Sequence, residues 1–469
     1  MTLENETIAV GISSALPELR ATLNGQLIMP DDARYDTVRT TFYGGVDRRP
    51  LAVARVADAT DVSRIVALAR EAGLELSIRS GGHSLLGHSV ADGGIMLDLS
   101  QMKRLEIDVA RRMAWAETGL TTGEYTIAAA EHGLATGFGD AGTVGIGGIT
   151  LGGGIGFLLR KYGMTIDDLL AAEIVTADGQ IRRADAETHP DLFWAIRGGG
   201  GNFGIATRFK FRLHEVETVV GGMLILPATP ERVAAFVAEA QAAPDELTTI
   251  ANIAFAPPMP FIPQEHHGKL IIFSLLCYAG EPQAGEKAIA PFRALATPLA
   301  DMVRPIPYPQ MFLPDEEDFH PTIAGRNLFI DHAGVEQAGT IIEHLAASTA
   351  PMSMVQLRVL GGAMARVPAA ATAFAHRDRR IMANVVAMYE HPAEVAQHRA
   401  WVDTLAAALQ QGQSAAYVNF LAADGPEHVR RAYPGDTWER LVAIKNRYDP
   451  TNLFRHNHNI PPATASDTH

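Results

Sequence analysis

The chain has 469 residues, 47% hydrophobic and 20% charged, with one cysteine and a net charge of −14. That is apolar material for more than one core. The acidic balance argues against nucleic acid, whose phosphates need clustered Lys and Arg, and against an anionic membrane surface. No run approaches the ~18 uninterrupted apolar residues of a membrane span. The start, Met1-Thr2-Leu3-Glu4-Asn5-Glu6, is acidic where a secretory signal is basic. The lone Cys277 leaves no partner for an intrachain disulfide and no cysteine metal cluster. A cytoplasmic protein is expected.

From Pro50 to about Leu213 the chain is rich in glycine and alternates strand-like with helix-like segments. Thr60 or Asp61 is the expected N-cap of a helix that ends at Gly73. A short strand follows and leads into Ile78-Arg79-Ser80-Gly81-Gly82-His83-Ser84. Two residues without a Cβ let a backbone approach a phosphate, and successive N–H groups form an anion-binding concavity. His83 stands beside it as a nucleophile. By itself this loop reads equally as a surface turn. Ile95–Leu99 reads as a buried strand, and 123–132 as a helix stopped by Gly133.

The second glycine cluster runs Gly145-Ile146-Gly147-Gly148-Ile149-Thr150-Leu151-Gly152-Gly153-Gly154-Ile155-Gly156. It lacks the strand and helix context of a dinucleotide fingerprint and holds too many glycines for a stable helix start. The reading is a backbone pressed against a flat, polar ligand. Glu173-Ile174-Val175-Thr176-Ala177 with Asp178-Gly179 is a strand and hairpin turn. The third cluster is Arg197-Gly198-Gly199-Gly200-Gly201-Asn202-Phe203-Gly204-Ile205. After Glu217 the texture changes to Ala-rich helices alternating with apolar strands. One helix starts at Thr229-Pro230, and Cys277 sits in an apolar strand as a buried thiol. Met354-Val355-Gln356-Leu357-Arg358-Val359-Leu360 alternates apolar with polar residues. The last stretch is polar and aromatic, with a turn at Asp449-Pro450-Thr451-Asn452. His266-His267 and His456/His458 do not converge as a metal site needs; no metal is expected. The division is 1–216, 217–414 and 415–469, the last segment returning to the first unit, in an α+β fold.

The three clusters in this order, with Arg160-Lys161-Tyr162-Gly163, Asp191-Leu192-Phe193-Trp194-Ala195-Ile196, Tyr448-Asp449-Pro450-Thr451-Asn452-Leu453-Phe454-Arg455 and Asn457-His458-Asn459-Ile460-Pro461, resemble the berberine-bridge-enzyme-like oxidoreductases. These belong to the p-cresol methylhydroxylase and vanillyl-alcohol oxidase type of FAD protein. The resemblance implies a two-part FAD-binding domain and an α+β substrate domain built on an antiparallel sheet. It assigns the pyrophosphate to Arg79, Ser80, Gly81, Gly82, His83 and Ser84, and a covalent bond from His83 to the flavin 8α-methyl carbon. Thr143, Val144, Gly147, Gly148, Gly152, Gly153 and Gly154 are expected along the flavin and its phosphate chain, Gly204 and Ile205 near the adenine, and Asn457 and Asn459 at the flavin side. Many members add a cysteinyl bond just before the Thr-Val-Gly motif; here Ala141 stands there, so a single histidyl tether is expected.

The same resemblance implies hydride transfer from an alcohol or amine carbon of a small molecule, with molecular oxygen as acceptor. Val144 holds the place that gates oxygen in the family, where valine accompanies oxidase activity. Tyr417 is the expected base, and a tyrosine of pKa near 10 must be lowered to serve. Tyr417 and Asn419 share a face if the segment is a strand. Tyr417 also falls in the flavin-contacting set. Gln356 and Arg358 are the polar groups on the facing strand; Arg358 stabilises a phenolate or binds an anionic substrate, or forms an ion pair on a solvated sheet face. A dehydrogenase or oxidative cyclase of secondary metabolism, and a non-catalytic flavin carrier, are the rival readings.

Overall fold

A computed structural model describes residues 16–313, 319–422 and 425–463; the acidic start at Met1 to Glu6 lies outside the described residues. The architecture is α+β. The first sheet has the order Gln26–Ile28, Ala52–Arg55, Ile95–Asp98, Leu76–Arg79. Ala52–Arg55 and Leu76–Arg79 both run parallel to Ile95–Asp98, whose four residues are all buried. A continuous apolar run is what a central parallel strand requires. The crossover helix Ala59–Ala72 ends at Gly73 in the left-handed region, φ 65°.

Its cap differs from the expected Thr60 or Asp61. Asp58 precedes the first helical residue with an extended backbone, and its carboxylate accepts the N–H groups of Thr60 and Asp61. Asp61 is buried and instead accepts the N–H groups of Asn24, Gly25 and Ala57. A cap must lie outside the helix, and Asp58 alone of the three does.

The second sheet is antiparallel, in the order Leu105–Asp108, Met113–Glu117, Ile205–Arg212, Leu169–Val175, Ile181–Asp185. The last two strands form the hairpin expected at Asp178-Gly179, with Gly179 at φ 79°. Strand Ile205–Arg212 therefore leaves the third glycine cluster from the centre of this sheet.

Residues 218–409 build the large antiparallel sheet. Its path is Ala300–Asp301, Thr218–Pro227, Leu270–Tyr278, Leu247–Phe255, Met352–Val359, Ile381–Tyr389, Thr322–Ile330, and Arg304–Pro307 pairs beside it with Thr218–Pro227. Helix Pro230–Ala242 begins as expected, with Thr229 as N-cap and Pro230 in the first turn. It joins Val335–Ala346 and Val395–Leu409 in one core with the sheet, through Val233, Phe236, Ile341, Leu345, Val402 and Leu405. Val355, Leu357, Ala383 and Val385 lie in that core. By the two-residue period of a strand, Met354, Gln356, Arg358, Asn384 and Val386 face the other way.

The chain then returns. Helix Asp436–Tyr448 carries Lys445, whose side chain has no exposure. Its Nζ donates to Asp449 Oδ2 at 2.7 Å, to the Asn202 carbonyl at 2.8 Å and to the Phe454 carbonyl at 3.0 Å. Asp449 in turn accepts the N–H groups of Leu453 and Phe454. One buried ammonium thus ties the Asp-Pro-Thr-Asn turn to the third glycine cluster. Lys445→Met leaves Asp449 charged and uncompensated, and removing one partner of a buried pair costs about 3–5 kcal/mol. Urea unfolding is expected to show that loss; a change below ~1 kcal/mol would mean that the pair does not hold the return segment.

Candidate active site

One cavity of about 560 Å³ lies where the glycine clusters, the return segment and the free face of the large sheet meet. Sites for small molecules and cofactors span about 300–1,000 Å³. Ser80, Gly81, Gly82, His83 and Ser84 form one wall of it. Val144, Gly147, Gly148, Gly204, Ile205 and Asn457 line it as well, and Gln356, Arg358 and Tyr417 face the same space. Arg79, Thr143, Gly152, Gly153, Gly154 and Asn459 stand outside the wall.

The loop is shaped by two bare backbones in contact. A Cβ on Gly81 would lie 2.2 Å from the Gly145 nitrogen, and one on Gly145 would lie 2.2 Å from the Gly81 nitrogen. Ser80 fastens the crossing: its Oγ donates to the Thr118 carbonyl at 2.6 Å and accepts the Gly147 N–H at 3.2 Å. Behind the loop, the Arg79 guanidinium donates to the Val38 carbonyl. Phe42 donates its N–H to the Gly82 carbonyl and stacks its ring on His83, with centroids 4.1 Å apart and planes at 18°. Nothing in the sequence pattern marked Phe42 as part of the site.

The second cluster is a helix after all, Ile146–Gly152, against the expectation that its glycines forbid one. Ile146 and Leu151 are buried and the Ile146 N–H reaches the Leu120 carbonyl, so tertiary packing overrides a poor propensity. The glycines that follow press against protein rather than the cavity. A Cβ on Gly152 would lie 1.9 Å from Asn419 Oδ1, and one on Gly154, at φ +80°, 1.8 Å from Thr165 Oγ1. Gly153, at φ +141°, would bring a Cβ within 3.0 Å of the Tyr417 ring.

Those bare positions admit Tyr417, which is 2% exposed. Its hydroxyl oxygen accepts the Gly154 N–H at 2.7 Å and the Asn419 amide at 2.8 Å. The segment is a 3-10 turn, Val418–Phe420, and not the expected strand; Asn419 reaches Tyr417 because the turn folds it back. Burial pushes the Tyr417 hydroxyl up to about 12, against the two donors and Arg358, which lower it; Asp140 adds to the rise.

Arg358 does not lie on a solvated face. It is 4% exposed, donates Nη2 to Asp140 at 2.7 Å and Nε to the Gln356 amide oxygen at 2.7 Å. Its partner is thus a carboxylate from the glycine-rich unit, and the pair joins the two halves of the cavity. Asp140 had no assigned role in the sequence reading. A carboxylate next to Ala141 in the tether motif is the signal that could have marked it.

The residues present suit a long, flat, polyanionic cofactor. A Cβ on Gly148 or Gly201, both on the wall, would meet nothing within 4 Å, so these positions open onto the cavity. Asn457 Oδ1, on a residue of the wall, is buried with no hydrogen-bond partner in the chain, and such a group calls for one; Thr143 Oγ1 and Asn459 Oδ1 are unpartnered too but lie off the wall. The asparagines serve the turn too: Asn457 Nδ2 donates to the Phe454 carbonyl at 3.1 Å. Among the described residues no three His, Cys, Asp or Glu groups converge as a metal site, and no helix is long and apolar enough to cross a membrane. Cys277 is buried and burial pushes its thiol up.

A family model described as an FAD binding domain matches residues 50–185, and one described as berberine and berberine like matches 416–461. The chain is 30% identical to (R)-6-hydroxynicotine oxidase of Paenarthrobacter nicotinovorans, over 94% of this chain and 97% of that protein. It is 31% identical to the FAD-linked oxidoreductase YvdP of Bacillus subtilis (strain 168), over 94% and 99%. The fold superposes on the crystal structure of 6-hydroxy-D-nicotine oxidase from Arthrobacter nicotinovorans with a TM-score of 0.85 at 27% identity, covering 94% and 99% of the two chains. The chain belongs to the berberine-bridge-enzyme-like family of FAD-linked oxidoreductases, with the FAD-binding fold of the p-cresol methylhydroxylase type.

Proposed function

We propose that the protein is an FAD-dependent oxidase that takes a hydride from an alcohol or amine carbon of a small molecule and passes the electrons to molecular oxygen. The observation that carries this reading is that His83 and Tyr417 line one cavity from opposite sequence segments. When bound, the flavin supplies the hydride acceptor. The Ser80–Ser84 wall would hold its pyrophosphate through backbone N–H groups and its ring through His83 alone, since Ala141 offers no thiol. Phe42, stacked on His83, fixes the plane of the imidazole. Asn457 offers a buried polar group to the cofactor, with Arg79, Thr143, Asn459 and Gly152 to Gly154 shaping the backbone behind. Val144, on the wall, is the proposed oxygen gate.

Tyr417 is the proposed base. Its oxygen receives two N–H donors and has the Arg358 guanidinium nearby, an arrangement that favours a phenolate. Gln356 and Arg358 assist by orienting the substrate and holding that charge. A base works only when deprotonated, and burial holds this one up at about 12. The rate therefore rises with pH through the neutral and mildly alkaline range, by about tenfold per unit where Tyr417 alone limits.

Two measurements check the reading. After acid precipitation the wild-type chain is expected to keep its yellow colour, while His83→Ala releases the flavin to the supernatant; colour lost from the wild type contradicts the tether. Tyr417→Phe is expected to retain flavin, lower kcat about 10²–10⁴-fold and flatten the pH–rate profile. An unchanged profile in that variant removes Tyr417 as the base.

A further inference from the structure

We infer that the substrate is a compact amphipathic molecule, an alcohol or amine on an apolar ring with one hydrogen-bond-accepting oxygen, and not an oligosaccharide. The inference rests on the oxidase reading above and deepens it.

It comes from three neighbouring rows on the cavity face of the large sheet. The strand register sets Asn327 opposite Asn384, Asn384 opposite Gln356, and Gln356 opposite Asn252. Their side chains form one directed chain of hydrogen bonds. The Tyr417 N–H donates to Asn327 Oδ1 at 2.7 Å, and Asn327 Nδ2 to Asn384 Oδ1 at 2.6 Å. Asn384 Nδ2 then donates to Gln356 Oε1 at 3.0 Å, Gln356 Nε2 to Asn252 Oδ1 at 2.9 Å, and Asn252 Nδ2 to the Phe273 carbonyl at 3.2 Å.

The direction is fixed by groups that cannot reverse. A backbone N–H begins the chain, a carbonyl ends it, and Arg358, which can only donate, also binds Gln356 Oε1. Every amide oxygen in the row is thereby engaged. Gln356 Oε1, accepting from both Asn384 and Arg358, is filled, and what Gln356 and Asn384 hold for an acceptor on a ligand in the cavity is their second N–H.

The next rows on the same face are apolar. Val386 lies opposite Met354 and Gly325, and Met388 lies opposite Ile323; all five line the cavity. The arginine on this face, Arg358, is matched in charge by Asp140 and keeps its buried Nη1 without a partner in the chain, one more donor for an acceptor oxygen. A ring packs on the apolar rows while its oxygen meets the amide row, beside Tyr417. A disaccharide would set several hydroxyls against Val386, Met354, Met388 and Ile323, where they find no partner, and a site discriminates strongly against buried polar groups left unpaired.

The test is anaerobic bleaching of the flavin in the holoenzyme, which needs no oxygen step. One panel holds ring alcohols and ring amines carrying one hydroxyl or ether oxygen; the other holds cellobiose and xylobiose. Bleaching by ring compounds and not by disaccharides is expected. In Met354→Ser the KM of the best ring compound is expected to rise about tenfold with kcat and the flavin spectrum little changed. Bleaching by disaccharides and not by ring compounds overturns this inference and leaves the oxidase reading standing. Bleaching by neither panel overturns both.

Discussion

The site depends on one close contact, the crossing of two bare backbones at Gly81 and Gly145. Side chains at either position would force the loops apart, since a Cβ would come within 2.2 Å of the opposite backbone. Because the loops touch, Ser80 can serve both, bonding Thr118 on one side and Gly147 on the other. The helix Ile146–Gly152 is thereby held beneath the loop that carries His83. Its far end opens at Gly152 to Gly154, where missing side chains admit Asn419 and Tyr417. The same feature, backbone without Cβ, therefore builds the loop crossing and makes room for the proposed base.

Charge is arranged around that base with little left over. Arg358 is neutralised by Asp140, and Lys445 by Asp449 in the return segment, both pairs carrying further hydrogen bonds. A buried ion pair adds little net stability but is costly to break, so these pairs act as fixed joints. The Arg358 pair joins the substrate sheet to the glycine-rich unit. The Lys445 pair joins the C-terminal return to the third glycine cluster. Between them Tyr417 is buried and held protonated over the neutral range by burial itself.

The glycine clusters and the turn at Asp449-Pro450 were legible because each is a local requirement that few residue types meet. The sheet alternation of Met354, Gln356 and Arg358 was legible for the same reason, and the α+β fold followed from the family resemblance. Other features depended on distant partners. Nothing near Gly145 announced that Ile146 and Leu151 would find enough packing to make a helix. Phe42 lies 41 positions from the ring it covers. Asn252, Asn327 and Asn384 sit on three strands and become a row only through register. A polar amide in the middle of an apolar strand is the clue such rows leave, and it becomes readable only when several are compared at once.

The claim on which the account turns is that this cavity runs an oxidase. The most direct measurement reduces the holoenzyme anaerobically with dithionite, mixes it with air-saturated buffer and follows the return of the yellow colour together with peroxide. The account predicts prompt reoxidation with peroxide formed in step. A chain that stays reduced in air and is reoxidised only by a quinone or dye would contradict it.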